Sequence, residues 1–209
     1  MLQGILKLRL FCNNGFMGRG ASKMPFDADE GPPYPSKLCA FVEDIKAQVA
    51  VKSIVFSFWK STLDLVGQLL AARGLGFYVI HGALPLNERR RILDEFRPAG
   101  NAHILLMTLG TGAVGLDLAV ASRIYLLEPQ WNPQLEQQAS GRAQRLGQTE
   151  QVTITRYVMK DTVEDSNVWP RQAEKLRDAA RGFEKSGGKP GSGNEQDLRV
   201  SHIEYWLRT

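Results

Sequence analysis

Cysteine and histidine are scarce in this chain: of 209 residues, two are cysteine (Cys12 and Cys39) and three are histidine. Two thiols cannot build a disulfide framework or a four-ligand zinc site. Three histidines scattered along the chain offer no visible metal cluster. Long apolar runs are missing too. No stretch approaches the ~18 apolar residues of a membrane span. The opening MLQGILKLRLFC interleaves apolar residues with Lys7 and Arg9, which suits an amphipathic helix better than a signal core. An intracellular, reducing setting is the expectation. Neither sign of charge dominates: a net charge of +4 permits a polyanionic partner without requiring one. No G-x-x-x-x-G-K-S/T run occurs, and no Asp-Glu pair ends an apolar strand. The chain therefore carries neither a P-loop nor the acidic pair that holds magnesium beside one.

What is present suffices for one domain with a real core plus terminal extensions. Residues 1–35 divide into an amphipathic helix (2–12), stopped by Asn13-Asn14-Gly15, and a loop rich in Gly and Pro. This segment is expected to be the remnant of a preceding unit. Between 36 and 183 the pattern alternates. A helix from Lys37 leads into SIVFSF (53–58), a short run of β-formers suited to a buried parallel strand. A helix closed by Gly74 follows, then GFYVIHG (76–82), the charged helix 86–96, HILLMTL (103–109), SRIYLLE (122–128), a helix from Gln134, and QVTITRYVM (151–159). A last helix, 162–183, is expected to be interrupted at Pro170. The fold class is α/β, an open, mostly parallel sheet with helices on both faces. Residues 184–209 are polar and Gly-rich, and are expected to be a disordered tail.

The densest chemistry lies in PQLEQQASGRAQRLGQT, Pro133 to Thr149. Read as one helix, it places Gln138, Arg142 and Arg145 at i, i+4 and i+7 on a single face, with Gly141 leaving room for a close approach. Two guanidiniums one turn apart suit phosphate oxygens better than the point charge of lysine. On spacing alone a solvated helix with two surface arginines is the more common outcome. A second candidate, Gly110-Thr111-Gly112-Ala113-Val114-Gly115, fits G-x-G-x-x-G, with Glu128 ending the next strand. Six residues between Gly115 and Ser122 leave no room for the helix of a dinucleotide crossover, which needs at least ~10–12. A small cofactor-binding enzyme is thus a minor alternative, and the segment reads as a Gly-rich loop at the carboxyl end of a strand.

Five segments in order carry a resemblance: SIVFSFW, VIHGALPLNERRRILDEF, ILLMTLGTGAVGLDLAVASRIYLLEPQWNP, EQQASGRAQRLGQT and VTITRYVMKDTVED. Together they resemble the C-terminal RecA-like lobe of superfamily-two helicase motors, of the switch/sucrose non-fermenting (SWI/SNF) DNA translocase type. The WNP wording and LRLFCNNG near the start tilt it toward the helicase-like transcription factor branch. The resemblance implies that Arg142 and Arg145 are arginine fingers reaching the γ-phosphate of ATP, held with magnesium mainly by a first RecA-like lobe. It implies that Gln138 couples that site to lobe movement. Gly112, Gly115 and Asp117 would line the nucleotide side, Asp117 near the ribose. His81, Gly82, Thr108, Thr111 and Gly112 would meet the backbone of double-stranded DNA, with Arg89-Arg90-Arg91 close by. A nuclear location goes with these roles.

The chain departs from the family pattern at three places. Asp117-Leu118-Ala119 stands where Asn-Leu-Thr is usual, Gln144 where His is frequent, and Phe58 where a polar residue is usual. Without a nucleotide cradle the chain is expected to be half of an ATPase and inactive alone. The alternative is a non-catalytic DNA- or partner-binding module that has lost its ATPase half. Trp131 is expected to be a packing residue rather than a base-stacking one.

Overall fold

The computed structural model describes residues 2–14, 36–98, 103–112, 116–144, 148 and 150–185. Five parallel strands form one sheet in the order β2-β3-β1-β4-β5, where β1 is Ser53–Ser57, β2 Phe77–Ile80, β3 Ile104–Thr108, β4 Arg123–Leu126 and β5 Thr153–Arg156. In register, Ser57 pairs with Thr108, Phe56 with Leu126, and Ile80 with Met107. The carboxyl ends of the strands therefore line up along one edge. Such edges are where open α/β sheets gather ligands.

Side-chain alternation divides the core into two layers. Ile54, Phe56, Leu105, Met107, Ile124 and Leu126 face one side. There they meet Leu93 and Phe96 of helix α4 (Leu86–Phe96) and Ala139 of α6 (Pro133–Ser140). Val55, Ile104, Leu106 and Tyr125 face the other side, against α2 (Ser36–Lys46) and α3 (Lys60–Ala71). Strands buried on both faces read as the near-continuous apolar runs seen in the sequence. Gly74, at φ +69°, closes the turn after α3 as expected from its position.

Helix α1 (Leu2–Asn14), expected as part of a preceding remnant, packs on α2 and α3, and residues 15–35 lie outside the described residues. A one-turn helix, α5 (Leu109–Gly112), caps β3 where only a Gly-rich loop was expected. At the other end, a π-helical turn (Glu164–Val168) leads into α7 (Trp169–Lys185). The chain stays helical through Pro170, and the expected interruption takes the form of the π-helical turn just before it, a shift in hydrogen bonding where proline has no N–H to give. Gly115, Arg145 and the tail from 186 onward lie outside the described residues.

Candidate functional site

Of the expected nucleotide and nucleic-acid residues, His81, Gly82, Thr108 and Thr111 lie at the carboxyl ends of β2 and β3, and the helix expected to carry the arginines needs one correction. Asn132 caps α6 by accepting from the Gln134 backbone N–H at 3.1 Å, and Pro133 takes the first helical position. The helix then ends at Ser140, well short of Thr149. The Ser140 hydroxyl donates back to the carbonyls of Glu136 (2.8 Å) and Gln137 (3.2 Å), a competition that weakens helix continuation, and Gly141 follows. Gln138 is thus an exposed residue of the last turn, and Arg142 sits half-buried in the turn beyond. Gln138 and Arg142 therefore do not lie on one continuous α-helix, since turns with i to i+3 bonds follow Ser140. At Gly141 an added Cβ would crowd the Gln137 carbonyl of the preceding turn at 3.0 Å, a local reason for glycine there.

The β2–β3 end brings four expected residues together. His81 and Gly82 follow β2, and Thr108 ends β3. Thr108 and Thr111 hydroxyls lie 2.7 Å apart, and a Cβ on Gly82 would sit 3.9 Å from the Thr111 hydroxyl. Thr111 itself is buried, whereas Gly82 and Gly110 are exposed and His81 and Thr108 half-covered. Helix α5 packs on α6, the helix whose last turn carries Gln138. Asp117 is tied to the arginine turn from behind, since the Leu118 N–H donates to the Arg142 carbonyl at 3.3 Å. The Asp117 carboxylate is exposed and accepts from the Ala119 N–H at 3.1 Å. It borders a depression of about 310 Å³ shared with Arg90, Asp94 and Arg97.

The arginine run divides by role. Arg89 donates to the carbonyls of Gly82 and Leu84, each at 2.8 Å, and so holds the turn after His81. Arg91 pairs on the surface with Glu88 and Glu95. Arg90 alone of the three borders the Asp117 depression. Trp131 packs as expected, although its cover is α7: Arg171 lies 5.2 Å and Lys175 5.9 Å from its ring centre, and Lys175 donates to its carbonyl.

A buried polar network beside this edge escaped the sequence reading. Glu128, there only the acid of a rejected fingerprint, is 1% exposed. It accepts from Asn13 (2.8 Å), Ser57 (3.2 Å), the Phe58 N–H (2.5 Å) and Gln130 (3.2 Å). Burial pushes its carboxyl up to about 7, against the pull of those donors and of Lys37. Lys37 donates to Asn13 and to both oxygens of Glu164, each at 2.7 Å, in a pair with no exposed side-chain surface. Farther along, Glu136 accepts from the Gln130 N–H (2.6 Å), Gln172 (2.6 Å) and Arg156 (2.8 Å). The available hint was Glu128 itself, an acid directly following an apolar strand. No rule of spacing pairs it with Asn13, 115 residues away.

For phosphate oxygens the residue types fit: Arg142 carries a guanidinium, and the Thr108 hydroxyl and the exposed Gly82 and Gly110 backbone lie at the β2–β3 end. For magnesium they do not, because no group of three or more acidic, His or Cys side chains that could hold a metal occurs among the described residues. Comparison with known proteins decides the family. The helicase conserved C-terminal domain matches residues 35–147, more than half of the chain. The chain belongs to that family. It is 34% identical over 185 residues to the DNA repair protein RAD5A of Arabidopsis thaliana, covering 88% of this chain and 17% of that protein. It is 35% identical over 155 residues to the human helicase-like transcription factor, covering 73% of this chain and 15% of that one. The C-terminal part of the Fun30 ATPase domain superposes with a TM-score of 0.62 at 27% identity, over 67% of this chain and 46% of the solved one. The fold is a RecA-like helicase C-terminal lobe, and its relatives are those the sequence motifs implied. The chain spans about a sixth of the length of such curated relatives.

Proposed function

We propose that this lobe supplies the arginine fingers and part of the DNA-backbone surface of an ATP-dependent DNA translocase, working against a first RecA-like lobe. The observation that supports the reading is the packing of α5, which holds Thr111, on α6, the helix that ends in the Gln138–Arg142 turn. Arg142 and Arg145 are the finger candidates. Their charge is fixed at every physiological pH and their planar forks match phosphate oxygens. Gln138, in the last turn of α6, links that turn to movement of the lobes. Gly112, Gly115 and Asp117 belong to the nucleotide side, and His81, Gly82, Thr108, Thr111 and Gly112 to the DNA side. Bound ATP brings the phosphoryl group, and the first lobe brings its magnesium and P-loop. This chain's own share is to place fixed positive charge and to exclude water at the closed cleft. Double-stranded DNA is the partner, and a nuclear location follows from that role.

DNA-stimulated ATP hydrolysis tests this directly. The purified chain alone should show no turnover, and the chain mixed with a first lobe from a related motor should show it. Loss of the restored turnover in Arg142→Ala and in Arg145→Ala supports the fingers. Turnover by the chain alone would sink the reading. DNA binding without restored turnover by any first lobe would favour a binding module that has lost its ATPase half.

A further inference from the structure

Helix α1 is held on the lobe by the buried Cys12, by Arg9 stacked over Trp59, and by directional polar contacts. Its outer apolar side chains Leu6, Leu8 and Phe11 are 40%, 56% and 51% exposed, while Arg9 and Asn13 are buried against the lobe. Arg9 donates to the Pro129 carbonyl at 2.8 Å, and Asn13 donates to Glu128 at 2.8 Å. Apolar contacts tolerate sliding. Hydrogen bonds to buried acceptors fix position, because a misplaced partner leaves a desolvated group unpaired. Glu128 and Pro129 begin the connection from β4 to α6, so α1 grips that connection at its origin.

The far end of the same connection is gripped from the other side. Gln130 reaches Glu128 with its side-chain amide and Glu136 with its backbone N–H, bridging the two carboxylates. Glu136 is in the first turn of α6, and Gln172 of α7 donates to it at 2.6 Å and to the Gln130 carbonyl at 3.1 Å. Every link in this path is buried. A shift of α1 or α7 is therefore felt at the start of α6, whose last turn carries Gln138 and leads into Arg142.

We propose that Asn13, Gln130 and Gln172 are positioning residues that relay the docking of α1 and α7 to the Gln138–Arg142 turn. The role assigned to that turn rests on the proposed function, whereas the relay itself can be tested without it. Hydrogen exchange of the full chain, followed by mass spectrometry, compares the parent with Asn13→Ala, Gln130→Ala and Thr62→Val. Thr62 is the control: its hydroxyl donates to Asn14 at 2.9 Å, an α1 contact off the path. Asn13→Ala should speed exchange about tenfold in both 2–14 and 133–144 while leaving 53–57 and 104–108 unchanged. Gln130→Ala should speed 133–144 without loosening 2–14, and Thr62→Val should loosen 2–14 alone. Should Asn13→Ala fail to fold, Asn13→Asp keeps an acceptor for Lys37 and sets a second carboxyl against Glu128 in place of the donor; the same α6 response is expected. With a first lobe present, Gln130→Ala should lower kcat about tenfold and keep KM for ATP within about twofold. No change at 133–144, or an equal rise in every segment, overturns the relay. Faster exchange at 133–144 with no turnover from any first lobe would leave the relay standing and defeat the finger reading instead.

Discussion

At the β4–β5 end of the sheet edge, Glu128, Glu136 and Glu164 are buried and held by named donors, whereas at the β2–β3 end Gly82 and Gly110 are exposed and His81 and Thr108 half-covered. One edge thus serves two purposes. Three buried carboxylates cost several kcal/mol each in desolvation unless their partners stay in place. That half is committed to its own internal geometry. The other half has few polar groups paired across elements, so a ligand can approach its backbone. Geometry is fixed by burial at one end and backbone is left open at the other, with α6 lying between them.

The largest effect that would test this division is catalytic. In the complex with a first lobe, Arg142→Ala should lower ATP turnover by about 10³–10⁵. Its unfolding free energy should fall by only about 1 kcal/mol, the ordinary cost of a point substitution at a half-buried turn. A large stability loss without the catalytic loss would place Arg142 with the sealed half instead. The opposite pattern belongs to Lys37→Met. It leaves Glu164 buried without its cation, so urea unfolding should show a loss of about 3–5 kcal/mol. Adding Glu164→Gln should recover part of that loss.

Protonation gives the next, smaller effect. The Glu128 carboxyl is raised from an ordinary 4.5 to about 7 when folded, so between those values the folded state holds a proton that the unfolded state has released. Its contribution to stability is complete below the unfolded value and is lost as pH rises through about 7. At ~1.4 kcal/mol per pH unit, the loss approaches about 3 kcal/mol. Urea midpoints measured from pH 4.5 to 8 should fall across that window, and Glu128→Gln should flatten the fall. An unchanged slope in the variant would assign the pH response to other groups.

The two halves were not equally legible in the sequence. The sheet was, because strands buried on both faces are short apolar runs: SIVFS, ILLMT and RIYL stand out against the charged helices. The α6 boundary was not. Gln138 and Arg142 have helical spacing, and only the back-bonding of Ser140 and the glycine after it end the helix between them. The one-turn α5 was hidden because its LGTG sequence has the composition of a loop. The sealed network was hidden for a deeper reason. Asn13, Lys37, Glu128 and Gln172 are residue types usually found at surfaces, and their partners lie far apart along the chain. Sequence pattern reports which positions are apolar and does not report which polar residues the fold will enclose.

The smallest effect bears on the open half. Gly110 is exposed in α5, and a Cβ placed on it would meet nothing within 4 Å. Gly110→Ala should therefore change unfolding free energy by no more than about 0.5 kcal/mol. If the α5 backbone approaches a DNA phosphate, as proposed, the added methyl stands in that approach, and duplex affinity should drop several-fold. Because no cation is removed, the slope of log affinity against log salt should stay the same. Fluorescence anisotropy with a labelled duplex at several salt concentrations separates the outcomes. Unchanged affinity would move the DNA path away from α5, toward His81 and the turn that Arg89 holds. A changed slope would mean that the substitution had disturbed the arginines, and that the open half is less independent of its neighbours than its geometry indicates.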